Sequence, residues 1–262
     1  ARRAHAARAA GRVLVVGAAG AQGTGMASAC QLLVPLLAQA HGLRAWVLPL
    51  DDFYLPKAAR ERLAREVHPL LATRGVPGTH DLPRLLSCLQ ALRTAADSSK
   101  LELPRFSKAH DDRAPDTHDA LGRFDVVLFE GWCVGAQAQP ESALAQPCNA
   151  LEAEADADGR FRRYVNTQLA GPYASLFAAL DALVFFAAPN MRSVYALRRE
   201  QEDALRRVTG HGGMGDAELA RFIAHFERIT VHMLQSLPQH ADVVIQLDEA
   251  RQITGFADRA PS

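Results

Sequence analysis

Five short apolar runs punctuate the chain: Val13–Gly17 (VLVVG), Ala45–Leu50 (AWVLPL), Asp125–Glu130 (DVVLFE), Ala182–Ala187 (ALVFFA) and Asp242–Leu247 (DVVIQL). They are rich in β-formers and apolar at successive positions, which predicts strands buried on both faces, as in a parallel sheet covered by helices. Between them, Gly25–Ala40, Leu82–Ala96, Arg163–Leu180, Met191–Val208 and Asp216–Leu237 carry helical spacing. Such alternation predicts a doubly wound, mostly parallel α/β sheet in three α/β/α layers. With no internal repeat or low-complexity linker, residues 1–262 are expected to form a single domain. Residues 1–11 form an N-terminal extension, and 136–160 are expected to be a loop-rich, acidic insertion over the sheet. Gly210–Gly215 (GHGGMG) reads as the most flexible stretch, too short to separate domains.

Composition narrows the classes. The 262 residues are 48% hydrophobic and 22% charged, which excludes wholesale disorder. Lys+Arg and Asp+Glu are equal at 29 each, which argues against a general nucleic-acid binder. No apolar run approaches the ~18 residues of a membrane helix. The four cysteines, Cys30, Cys88, Cys133 and Cys148, are far apart and form no CxxC pair. Reduced thiols in a cytoplasmic protein are expected, rather than a disulfide framework or zinc site. The start, with its basic stretch before Val13–Val16, loosely imitates an export signal, but that apolar run is short for the role. Because the chain opens on Ala1, residues upstream are expected to have been removed or left out.

After the first strand comes a glycine loop, Gly20-Ala21-Gln22-Gly23-Thr24-Gly25-Met26-Ala27-Ser28, running into a helix. Gly20 and Gly25 have the separation of the phosphate-binding pattern G-x-x-x-x-G-K-[ST]. Glycines let backbone N–H groups turn inward, and the helix N-terminus adds partial positive charge. The two side chains that complete the pattern are absent: Met26 stands at the lysine and Ala27 at the metal-binding hydroxyl. Ser28 follows one place later, about 100° around the helix, and so does not simply replace Ala27. On these residues alone, a phosphate cradle and a tight strand-to-helix turn are both open.

Further candidates follow. Leu50-Asp51-Asp52-Phe53-Tyr54 after the second strand puts two carboxylates where such sheets open onto a ligand crevice. Arg74-Gly-Val-Pro-Gly-Thr-His80-Asp81 is a turn-rich loop with a cation and an imidazole, and Phe129-Glu130-Gly131 ends the third strand on an acid. Taken in order with Pro104-Arg105-Phe106-Ser107-Lys108, Asp112-Arg113, Asn149-Ala-Leu-Glu152, Arg163-Tyr-Val-Asn166, Arg198-Arg-Glu-Gln-Glu202 and Phe226–His232, these motifs resemble the P-loop kinases of the plant-type D-glycerate kinase family. The resemblance covers nearly the whole chain; uridine kinase, pantothenate kinase and phosphoribulokinase are more distantly similar.

That resemblance implies a P-loop NTPase fold using ATP and Mg2+ to phosphorylate a hydroxyl of a small carboxylate. It implies Asp51 as the base that accepts the hydroxyl proton, which the chemistry needs in any case. The competing role for Asp51 is a helix cap, for which Asp52 is the better candidate. Glu130 would hold Mg2+ through water. Asp52, Tyr54, Arg74, His80, Asp81 and Arg113 would form the acceptor side, with Arg74 pairing a substrate carboxylate. Lys108 would neutralise the substrate or the moving phosphoryl group, and Arg198 would close over the phosphates from a lid helix. Ser107 stands where relatives carry Asp, and Leu197 where they carry Trp. With Met26 and Ala27, the departures gather at the phosphates. The expectation is a small-molecule kinase impaired at its loop; the alternative is a pseudokinase that binds nucleotide or metabolite without transfer.

Overall fold

In the computed structural model, residues 1–209 and 213–259 are described; of the expected flexible stretch, 210–212 lie outside them. Six strands form the main sheet: β1 (Leu14–Gly20), β2 (Ala45–Pro49), β5 (Val126–Glu130), β6 (Ala182–Ala187), β7 (Val243–Leu247) and β8 (Ile253–Asp258). Their order is β2-β5-β1-β6-β7-β8. The first five run parallel and β8 returns antiparallel on the edge. Alternate side chains of β1 serve opposite layers, because strand residues alternate in direction. Val13 and Val15 join Phe129, Phe185 and Leu85 in one core, while Leu14 and Ala18 join Leu128, Met26 and Cys30 in the other.

The first core packs under α4 (Leu82–Thr94), α6 (Arg160–Gln168) and α9 (Asp216–Ser236), the second under α1 (Arg2–Ala9) and α2 (Met26–His41). This is the expected three-layer architecture, but several elements differ in detail. The expected helix Arg163–Leu180 is broken: α6 gives way to a wide π turn over Leu169–Tyr173, where Pro172 supplies no N–H, and resumes as α7 (Ala174–Phe177). The N-terminal extension folds as α1. The stretch 136–160 carries a 3-10 turn, Glu141–Leu144, and α5 (Ala150–Ala155), and it packs on α9. Two ion pairs hold it: buried Arg162 on buried Asp156 at 3.0 Å, and Arg228 on buried Glu152 at 2.6 Å.

Two further elements complete the fold. One is α3 (Lys57–Glu66) and the other a separate hairpin of β3 (Lys100–Ser107) and β4 (Asp112–Leu121). Arg60 of α3 is 1% exposed. It donates to the carbonyls of Leu55 (3.1 Å), Ala72 (2.6 Å) and Asp111 (2.7 Å), tying the hairpin tip to the loops before and after α3. Strand register then sets the site. Glu130 lies beside Ala18 of β1 and Pro49 of β2, so the glycine loop, the Asp51 turn and Glu130 leave the sheet at the same end. The helix before α9, α8 (Met191–Thr209), packs with α9 above that end.

Candidate active site

The glycine loop is shaped by its backbone. Gly23 (φ +87) and Gly25 (φ +81) adopt left-handed conformations, and a Cβ on Gly23 would sit 2.7 Å from Leu197 Cβ. Only glycine lets the loop pass this close beneath α8. The loop then turns into α2 at Met26. Thr24 is buried and donates its hydroxyl to the Ala21 carbonyl at 2.8 Å, so it holds the loop rather than offering a free ligand. Met26 is buried among Ala18, Cys30 and Phe186, where its thioether side chain carries no charge to a phosphate.

A cleft of ≈ 590 Å³ opens over the loop, lined throughout Gly20–Ser28. Across it stand Asp51, Asp52, Tyr54, Arg74, Lys108 and Glu130, with Arg198 above and Trp132 and Phe226 as apolar wall. Asp51 is not a helix cap. Its Oδ1 accepts the Tyr54 hydroxyl at 2.6 Å and its Oδ2 accepts Lys108 Nζ at 2.6 Å. Burial pushes the Asp51 carboxyl up, but the Lys108 ammonium and the two hydrogen bonds outweigh it and hold the group below its ordinary range. Asp52 is not a cap either: its Oδ1 accepts the Phe106 N–H at 3.0 Å and fastens the hairpin beside the turn. Burial raises its carboxyl, against that bond and against His118.

Glu130 behaves differently. Its carboxylate accepts no hydrogen bond among the described residues, and burial, followed by the charge of Asp51, pushes it up to about 7. A half-buried acid with neighbouring acids and no protein donor fits a hard divalent cation. Glu130 supplies a carboxylate for one; the loop supplies no hydroxyl at Ala27.

Not every expected acceptor residue reaches the cleft. His80 is buried behind Tyr54, their rings stacked at 4.8 Å, with Nδ1 2.6 Å from the Tyr173 hydroxyl and Nε2 without a partner. Burial lowers its pKa to about 4, so it is neutral. Asp81 caps α4 by accepting the Arg84 N–H at 3.2 Å and pairs with Arg113. Those three residues support the acceptor wall from behind. Arg74 does face the cleft, pinned by Asp111 and lying 5.5 Å over the Phe106 ring. Arg198 projects from α8, its NH2 on buried Glu202 at 2.5 Å and its guanidinium 5.4 Å over Phe222 of α9. Gln201 and Phe222 line the cleft without having been singled out in the sequence; the spacing of Gln201, one turn from Arg198 on α8, is a signal that could have found it, whereas Phe222 comes from α9.

With this geometry in place, the likeness to known proteins is specific. The uncharacterised kinase mug58 of Schizosaccharomyces pombe is 30% identical over 225 residues, covering 82% of this chain and 79% of that protein. This chain belongs to the P-loop kinase family of D-glycerate 3-kinase and related kinases. The chloroplastic D-glycerate 3-kinase of Arabidopsis thaliana is 29% identical over 223 residues, 81% of this chain but 46% of that longer protein. The solved D-glycerate 3-kinase of Cryptococcus neoformans superposes with a TM-score of 0.82 at 26% identity, over 98% of this chain and 96% of that one. No family model matches the chain. No helix is long and apolar enough to cross a membrane among the described residues.

Proposed function

We propose that the chain is a single-domain, ATP-dependent kinase of a small hydroxy acid, glycerate or a close analogue, with transfer slowed by Met26 and Ala27. One observation carries this reading. Asp51 faces the glycine loop across a single cleft with Glu130 and Arg74 beside it, a base, a metal partner and an anion-binding cation in one place. Backbone N–H groups of the glycine loop would cradle the nucleotide phosphates, and the start of α2 adds its dipole. Arg74 would fork onto the substrate carboxylate, directing a hydroxyl toward Asp51, which takes its proton as the oxygen attacks the terminal phosphorus. Arg198 would stabilise charge on the transferring group from above. Mg2+ held by Glu130 would screen the phosphate charge. The four free cysteines suit a reducing, cytoplasmic setting.

Removing one preorganised charge-stabilising group commonly costs ~10²–10³ in rate. Kinases typically turn over at ~1–100 s⁻¹, so the missing lysine and hydroxyl leave turnover slow. The buried Met26 favours a second reading, a pseudokinase that binds nucleotide without transfer. A coupled phosphorylation assay with MgATP separates them. Acceptor-dependent ADP release with D-glycerate, and less with lactate, supports the kinase. Nucleotide binding with no acceptor-dependent turnover at high enzyme concentration supports the second reading.

A further inference from the structure

The cleft holds three cations among the described residues, Arg74, Lys108 and Arg198, and two of them are anchored on acids that do not line it. Arg74 is held by Asp111 and stacked on Phe106, its side chain 28% exposed. Arg198 is held by buried Glu202 and by Gln201, its side chain 21% exposed. Lys108 is different. Its side chain is 63% exposed, it stands at the tip of the β3–β4 hairpin, and its one ion-pair partner is Asp51. It lowers the carboxyls of Asp51, Asp52 and Glu130 alike, so it sits where the site's negative charge concentrates. A bound nucleoside triphosphate brings more negative charge to that point than Asp51 carries.

We infer that Lys108 supplies the terminal-phosphate contact that the loop lacks at Met26, leaving Asp51 for the phosphate when a nucleoside triphosphate binds. The inference rests on the kinase-type nucleotide site proposed above. The move also opens Asp51 Oδ2, the oxygen on which Lys108 sits at 2.6 Å. The long, flexible stem of lysine suits such a move better than the planar, forked arginines beside it.

Equilibrium titration with ATP and with AMP, no acceptor present, tests this directly. Lys108→Met is expected to weaken ATP by about 10-fold or more, the scale of one charge-assisted phosphate contact, and to leave AMP unchanged. Lys108→Arg should keep most of the ATP affinity. Met26→Lys should restore ATP binding to the Lys108→Met protein, because the two cations serve one phosphate. Thermal melts of each variant confirm folding. If the unmodified protein binds ATP and Lys108→Met leaves the ATP-to-AMP ratio as it was, the inference is overturned and the kinase reading stands. Equal weakening of ATP and AMP assigns Lys108 a structural role and also overturns it. If the unmodified protein binds no ATP, both fall together.

Discussion

The two walls of the cleft are built by different means. On the nucleotide side the backbone does the work: Gly23 and Gly25 bend the loop, Thr24 pins it, and its only side chain in the expected cation position is the buried Met26. On the acceptor side the side chains carry the chemistry. Asp51 is held by Tyr54 and Lys108, Asp52 clamps the hairpin, and Arg60 locks the hairpin tip from within. A backbone cradle tolerates loss of its side chains and keeps its shape. A side-chain wall loses its function with any one of its members. The difference explains how a chain can carry a degenerate loop on an otherwise well-formed kinase fold.

Asp51→Asn strikes the acceptor wall hardest. In a Met26→Lys, Ala27→Ser background it should reduce transfer by ~10²–10⁴, while ATP affinity measured by titration stays within a few-fold. A comparable loss of ATP affinity would move Asp51 to the nucleotide side and blur the comparison. Arg60→Met comes next. Removing a buried guanidinium that satisfies three carbonyls and Asp111 should cost about 3–5 kcal/mol of unfolding free energy in urea. An Arg199→Met control, on an exposed cation paired with exposed Asp216, should cost under ~1 kcal/mol.

Two buried groups then give pH signatures of opposite sign. His80 has its folded pKa lowered to about 4 from 6.5, so its contribution is full above pH 6.5 and is lost as pH falls through 4. Glu130 has its folded pKa raised to about 7 from 4.5, so its contribution is full below pH 4.5 and is lost as pH rises through 7. Each swing is roughly 3–4 kcal/mol. Relative to wild type, His80→Gln should gain stability toward pH 4, and Glu130→Gln should gain it toward pH 8, in metal-free buffer. Denaturant melts across that range check both, and parallel curves would remove the distinction.

Much of this was legible beforehand, and for a physical reason. Strands buried on both faces write themselves as apolar runs, so β1, β2, β5, β6 and β7 were placed to within a few residues. The loop was legible through its glycine spacing. The hairpin was not, because β4 reads Asp112–Leu121 with nearly every side chain in solvent and no alternation to detect. Nor was Arg60, since a polar residue carries no mark of burial until its partners are known. The same limit applies to His80, Asp81 and Arg113: residue type suggested contact with a ligand, whereas packing put them behind Tyr54 and at the start of α4.

A sound acceptor wall thus faces a loop missing its phosphate lysine and its metal hydroxyl. The most direct measurement is the MgATP-dependent phosphorylation rate of D-glycerate by this chain beside its Met26→Lys, Ala27→Ser version. A gain of ~10²–10³ on restoring both residues is expected, with the acceptor KM little changed. An ordinary kinase rate in the unaltered chain, with no gain on restoration, would contradict it.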